Sequence, residues 1–175
     1  MNETFVCSDP HIGHLRCMTE WRGFSTLDEG NEFVIDKINS KVKSHNNTLY
    51  ILGDAVFNPT AYLPLLNRII GNKFLVMGNH DANAHNYTPY FTKIMSVHVY
   101  SKRYVMTHIP IHPYSFEHRW EDCVNLHGHI HSAEKFDLLK DPRYFNVNLE
   151  MHNYEPISIT KELPDLITAY RRSLK

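Results

Sequence analysis

Five times along this chain a short run of apolar, β-branched and aromatic residues ends in a tight polar turn that carries Asp, Asn or His. Thr4-Phe5-Val6-Cys7 leads into Ser8-Asp9-Pro10-His11-Ile12-Gly13-His14, and Thr48-Leu49-Tyr50-Ile51-Leu52 leads into Gly53-Asp54. Lys73-Phe74-Leu75-Val76-Met77 is followed by Gly78-Asn79-His80-Asp81. Residues 103–107 run into His108, and 123–126 into His127-Gly128-His129-Ile130-His131. Runs of this length bounded by Gly, Pro, Asn or Asp read as strands, and fully apolar ones as strands buried on both faces. Similar runs predict strands over 97–100, 144–149 and 157–160.

Helices are expected between the early strands. Thr26-Leu27-Asp28-Glu29 has the form of a capping box, followed by Val34, Ile38 and Val42 at helical spacing. Thr60 is a candidate cap for a second helix carrying Leu63, Leu66, Ile69 and Ile70 and stopping at Gly71, with Pro64 near its start. A last amphipathic helix is expected from Pro164 through Leu166, Ile167 and Tyr170. Alternation of strand and helix in the first half, with more strands in the second, predicts a layered α/β fold with parallel strands. In such sheets the carboxyl ends of the strands form the ligand-binding edge, so the five polar turns should converge. Residues two apart on an extended chain share a face, which lets Asp9 and His11, or His129 and His131, aim at one point.

Composition narrows the function classes. A length of 175 residues predicts one domain over 1–175, and a hydrophobic fraction of 42% is enough for a packed core. No apolar run approaches the roughly 18 residues of a membrane span, and no basic start leads into an apolar stretch as in a signal peptide. A net charge of −1 gives no general attraction to nucleic acid or anionic membrane. Cys7, Cys17 and Cys123 cannot all pair and form no CxxC, so a cytoplasmic setting without disulfides is expected. The unusual count is 13 histidines.

Imidazole and carboxylate together suit divalent transition metals, and the lack of thiolates argues against a structural zinc site. Asp9, His11, Asp54, Asn79, His108, His129 and His131 make seven ligand candidates, more than one ion usually takes from protein. With Asp54 bridging, two ions could be served, and two ions about 3.5–4 Å apart are a standard device for in-line attack at phosphorus. Any one of these doublets alone is better read as an ordinary turn.

Asp9-x-His11, Gly53-Asp54, Gly78-Asn79-His80-Asp81, the lone His108 and Gly128-His129-x-His131 resemble, in order, the motifs of the calcineurin-like metallophosphoesterase superfamily. The flanking Trp21-Arg22-Gly23-Phe24, Ile38-Asn39, Phe145-Asn146-Val147-Asn148 and Tyr154-Glu155-Pro156-Ile157 resemble its small bacterial and phage phosphohydrolases. The resemblance implies a four-layer α/β/β/α sandwich of two mixed sheets with a dinuclear site at the carboxyl ends of the strands. It assigns Asp9, His11, Asp54 and His131 to one ion and Asp54, Asn79, His108 and His129 to the other. The ions are expected to be divalent: manganese first, with iron, zinc, nickel or magnesium as alternatives. His80 is the catalytic residue implied beside them.

The protein-phosphatase branch of that superfamily has GDxxDRG, whereas here Gly53-Asp54-Ala55-Val56-Phe57-Asn58-Pro59 puts Phe57 at the second acidic position. That leaves Asp81 or a backbone carbonyl to orient His80, so Asp81 is a second catalytic candidate. His14, Asn79 and Arg22 are candidate substrate contacts, with Arg103 and Arg119 as weaker ones, and His112 and His127 could support ligands. The loops 12–26, 55–62, 82–96 and 109–122 are the expected pocket walls.

The expected activity is hydrolysis of a phosphate mono- or diester: a nucleotide, a cyclic nucleotide or a short nucleic-acid end. Without a basic stripe, long duplex nucleic acid is a poor partner. An HD-domain phosphohydrolase would need His80-Asp81 on a helix, and a metallo-β-lactamase-like hydrolase would want HxHxDH where His129-Ile130-His131 runs on into Ser132. The alternative of another class is a catalytically weak metal-binding scaffold acting in protein interaction, which should lack several of these ligands.

Overall fold

The computed structural model describes residues 2–81, 83–118, 121–132 and 140–174. Ala82 in the expected 82–96 wall, and Arg119 and Trp120 in the 109–122 wall, lie outside the described residues.

The early elements appear in the predicted order: β1 (Thr4–Cys7), α1 (Leu27–Lys41), β2 (Thr48–Leu52) and β3 (Asn72–Val76). Helix α1 starts where the capping box places it. The Thr26 hydroxyl accepts the Glu29 amide at 3.1 Å, while the Glu29 carboxylate accepts the Ser25 amide at 2.8 Å. The second predicted helix differs. It begins at Pro59 rather than after a Thr60 cap, runs as α2 only over Pro59–Tyr62, then tightens into a 3-10 turn over Leu63–Arg68. Pro64 has no N–H to continue the α ladder, which breaks there although Leu63 and Leu66 stay buried.

The remaining elements are α3 (Ala84–Tyr87), β4 (Lys93–Met95), β5 (His98–Tyr100), β6 (Tyr104–Met106), α4 (Tyr114–His118) and β7 (Val124–His127). They are followed by β8 (Tyr144–Asn146), β9 (Ile157–Ser158) and α5 (Leu163–Ser173). Strand β4 was expected as loop; it is a three-residue edge strand, too short to show a period.

Two mixed sheets result, one in the order β4-β3-β2-β1-β9 and the other β5-β6-β7-β8. Within them β1 to β4 are parallel and β9 antiparallel, while β6, β7 and β8 are parallel and β5 antiparallel. Alternation along the strands divides the apolar residues between two cores. Phe5, Cys7, Leu49, Ile51 and Leu75 pack with Val34, Ile35 and Ile38 of α1. Val6, Tyr50, Leu52 and Val76 face the other way, onto Met106, Leu126 and Phe145 of the second sheet and Leu163 and Ile167 of α5. Val105, Asn125 and Tyr144 pair across the far face of the second sheet, where Phe116 of α4 meets Tyr144 at a ring distance of 5.2 Å. The layers therefore run helix, sheet, sheet, helix, as the sequence resemblance implies, with a short final layer among the described residues.

This packing brings the carboxyl ends of both sheets to one seam. Ser8, after β1, donates its amide to Val147 O at 3.0 Å, and Leu149, after β8, donates back to Ser8 O at 3.2 Å. Gly53 at the end of β2 has φ +83°, and a Cβ there would strike the His108 ring. Gly23 has φ +76° but open space around it. Gly23→Ala should thus cost about 1 kcal/mol from backbone conformation alone. Gly53→Ala should cost clearly more, because the imidazole must also move, and urea-denaturation midpoints of the two variants will show the difference.

Candidate metal centre

The turns that follow the strands hold their polar side chains inward by an unusual backbone. Asp9, His11, Asp54, His129 and His131 all have positive φ, at 58°, 52°, 51°, 68° and 47°. For a non-glycine residue this conformation costs about 1–2 kcal/mol, so each must be held by its surroundings. Backbone bonds do much of this: Asp9 N donates to Gly53 O at 3.1 Å, His11 N to Asp54 O at 2.9 Å and Ile12 N to Ala55 O at 3.1 Å.

The side chains meet as two groups able to hold an ion, Asp9 with His11 and His131, and Asp54 with His108 and His129. In each group the candidate ligand atoms lie within 4.8 Å of one another. In the first, the His11 and His131 Nε2 atoms stand 3.3 Å apart, and Asp9 Oδ1 lies 3.5 Å from the former and 3.8 Å from the latter. In the second, His108 Nε2 is 3.4 Å from Asp54 Oδ2 and 2.9 Å from Asn79 Oδ1. Asp54 Oδ2 also comes within 3.8 Å of His11 Nε2, so one carboxylate reaches toward both groups.

These residues fit divalent cations on their own chemistry. Asp9 Oδ1 is buried and has no hydrogen-bond donor, an arrangement that is costly unless something positive satisfies it. Burial works against the charge on Asp9, but the neighbouring His11 and His108 outweigh it and hold the carboxyl well below its usual range. Asp54 follows the same pattern, with burial opposed by its bond to His108, and ends lowered. Both carboxylates are thus ready anionic ligands.

The supporting contacts fix which nitrogen of each ring faces inward. His108 Nδ1 sits 2.8 Å from Leu52 O, which leaves Nε2 for the site. His131 Nδ1 lies 3.1 Å from both oxygens of Glu150, and Glu150 accepts Arg22 Nε at 2.8 Å. Glu150 was not legible in the sequence: it lies in a 3-10 turn 19 residues beyond His131, and no motif marks it.

Several expected contacts sit elsewhere. Arg22 is not a phosphate ligand: its side chain is 1% exposed, and its guanidinium donates to Glu150, Pro10 O and Asp9 O. It braces the first group from behind. Asp81 does not reach the His80 ring; its two oxygens accept the amides of Asp54, Ala55 and Gly78, tying together the turns that carry Asp54 and Asn79. Phe57, which stands where an acid would orient the imidazole, packs against the His80 ring at 5.5 Å. The His80 side chain is 39% exposed, with Nε2 3.9 Å from Asp54 Oδ2. His14 stands at the rim, 5.4 Å from the His11 ring, with Nδ1 accepting the Cys17 amide at 3.0 Å.

His127 is buried in β7 with Nδ1 on Gly128 O, and burial pushes it down to about 4. The exposed His112 accepts the Tyr114 amide instead of supporting a ligand. Arg103 lines a separate cleft with Lys102 and Arg171. Beside the second group, a 340 Å³ cleft is lined by Met77, Asn79, Ser96, His108 and Ile109.

A layered α/β sandwich that gathers His, Asp and Asn from five strand ends around two adjacent groups able to hold a cation is the architecture of a metal-dependent phosphoesterase. The sequence profile of the family described as calcineurin-like phosphoesterase matches residues 4–167, and the chain belongs to that family. Among solved structures it is similar to a protein of unknown function from Aquifex aeolicus, at 26% identity and a TM-score of 0.69 over 95% of this chain and all of the other. A nuclease, MPE, from Pseudomonas putida shares the fold at 20% identity and a TM-score of 0.51, over 73% of this chain and 61% of its own. No curated protein matches the chain. No helix among the described residues is long and apolar enough to cross a membrane.

Burial lowers and the Glu150 bond raises His131, and His108 is likewise raised by Asp54 against burial, so both rings hold protons to higher pH than an ordinary histidine. A cation must displace those protons. Manganese affinity, measured by calorimetry, should fall as pH drops through and below neutrality and level off above it. Glu150→Gln, which removes the anionic support of His131, should weaken binding on the order of 10–100-fold.

Proposed function

We propose that the protein hydrolyses a phosphate mono- or diester of nucleotide type at a dinuclear centre. Asp9, His11, Asp54 and His131 would hold one ion, and Asp54, Asn79, His108 and His129 the other, with manganese the first choice of metal. The observation that carries this reading is the pair of adjacent His/Asp groups with the Asp54 carboxylate between them. The bound cations would supply an activated water and neutralise charge on the phosphate oxygens.

The chain's own residues do the rest. Asn79 contributes a neutral amide oxygen beside His108, so the second group carries less anionic charge than a second carboxylate would give it. His80 belongs to neither group, keeps its ring accessible, and receives its position from its own amide, which donates to Asp54 Oδ1 at 2.9 Å. From there it is placed to donate a proton to the leaving oxygen. Asp81 acts as a positioning residue through the three amides it accepts, since Asp54 and Asn79 both move if that cradle opens.

His80→Ala should therefore keep its metal and lose most turnover, by about 10²–10⁴-fold, while Asp54→Ala should lose metal. The test is metal content together with hydrolysis of bis-p-nitrophenyl phosphate and p-nitrophenyl phosphate in manganese, which also separates diester from monoester preference. Equal metal loss in both variants would overturn the division of roles, and a metal-loaded protein inert on both esters would overturn phosphoester hydrolysis as its activity on simple substrates.

A further inference from the structure

Next to the metal centre the surface carries large aromatic groups that offer no ligand atom to a cation. Trp21 ends a short π-helical turn, Cys17–Trp21, and is 58% exposed; Phe57, in the turn after Asp54, is 39% exposed. His14 lies between them, with ring distances of 4.2 Å to Phe57 and 5.7 Å to Trp21. The series continues into the site at both ends: Trp21 is 6.4 Å from the His131 ring, and Phe57 is 5.5 Å from His80. Five rings thus form one continuous wall from a metal-ligand candidate to the proton-donor candidate. Leu15, 59% exposed, lies beside it in the chain.

Position gives this wall a meaning. In-line displacement at phosphorus puts the departing group opposite the attacking oxygen, and the residue proposed to protonate that group, His80, has Phe57 and His14 as ring neighbours outside the metal groups and His11 on the metal side. A departing group that His80 protonates from its open side has Phe57 and His14 beside it, and Trp21 next along the wall. A small alkyl or sugar alcohol would leave these apolar faces in water, whereas a planar base would cover them. His14 adds a directional contact: Nδ1 already accepts the Cys17 amide, so in the neutral ring the proton is on Nε2, free to donate. Arg16 backs Trp21, its guanidinium 5.8 Å from the ring, and is itself held by Glu20 at 2.7 Å.

We infer that Trp21 and Phe57, with His14 between them, are a stacking platform for the base of a nucleoside leaving group. The inference rests on the proposed phosphoester hydrolysis but is testable without it. Trp21 and Trp120 are the two tryptophans of the chain, so the difference between wild type and Trp21→Phe isolates the Trp21 emission. Adenosine 5′-monophosphate should quench that emission, phenyl phosphate should quench it less, and ribose 5-phosphate and inorganic phosphate should leave it unchanged. Absence of a Trp21-dependent response to the nucleotide, or an equal response to ribose 5-phosphate, would overturn the platform.

The kinetic arm compares the dinucleotide ApA with an analogue whose leaving nucleoside lacks its base. Wild type should prefer ApA in KM by about tenfold or more, the scale of one stacked base. Trp21→Ala and Phe57→Ala should shrink that preference toward one, and Trp21→Phe should retain most of it. A preference that is absent in wild type, or unchanged in both alanine variants, would overturn the platform and leave hydrolysis standing. Nucleotide quenching in a protein inert on every ester would overturn hydrolysis and leave the platform standing.

Discussion

Asp9 connects the two sheets through a carboxylate whose oxygens are treated unequally. Oδ2 accepts the amide of His129 at the end of the second sheet, while Oδ1 is buried without a donor, facing the Nε2 atoms of two imidazoles. Its amide binds Gly53 O beside β2, and its carbonyl accepts Arg22. A single residue therefore registers β1 against β2, the first sheet against the second, and both against the Arg22–Glu150–His131 chain. The satisfied contacts fix the position of the carboxylate, and the unsatisfied oxygen sets what can bind there. An unpaired buried anion is unfavourable in isolation, so this arrangement is stable in proportion to the cation it can recruit.

The same compromise recurs in the backbone. Five ligand candidates take left-handed conformations that a glycine would adopt freely, yet a glycine has no ligand to offer. Glycine is used instead at the flanking positions, where bulk rather than chemistry is the difficulty. A Cβ at Gly78 would strike the Asp54 carboxylate, and one at Gly128 the Asp9 carboxylate and Ser8. Side chain where a ligand is needed and none where the backbone must come close is the division of labour behind Gly-Asp, Gly-Asn-His-Asp and Gly-His-x-His. The strain is tolerable because the strands that impose it are anchored in two apolar cores, and because Asp81 and the neighbouring carbonyls hold the turns.

This explains what could be read from the sequence. Strand ends followed by Asp, Asn or His carry their information locally, so β1, β2, β3, β6 and β7 and the convergence of their turns were legible, as was the cap at Thr26. Features that depend on partners far along the chain were not. Glu150 is an ordinary surface-type residue until β8 and the following turn bring it to His131. Arg22 looks like a phosphate ligand because arginine in a polar loop often is one, but the fold closes over it. Asp81 follows a histidine and invites pairing with it, yet the tight turn from Gly78 aims its carboxylate back at the backbone. Pro64 stands near the expected start of the second helix, where its missing N–H should matter least, and nothing local shows that the segment continues as a 3-10 turn.

Phe57 bears on both the proposed proton donor and the proposed leaving group. An acidic residue at that position would hold the His80 ring by a charge-assisted bond and would present a charged, hydrated surface to the departing group. An aromatic ring holds the imidazole by its edge, leaving the ring nitrogens at 3.9 Å or more from the Asp54 carboxylate, and it presents an apolar face to the same space. Orientation by packing is weaker than orientation by an ion pair, so a ring positioned this way benefits from a substrate that closes the open side of the wall. A planar leaving group lying across Trp21, His14 and Phe57 would do that, restricting the His80 ring only when the substrate whose leaving oxygen it serves is in place. Selectivity and catalytic positioning would then come from the same contact, and a substrate lacking the base would meet a centre with its ions and ligands intact but its proton donor less well held.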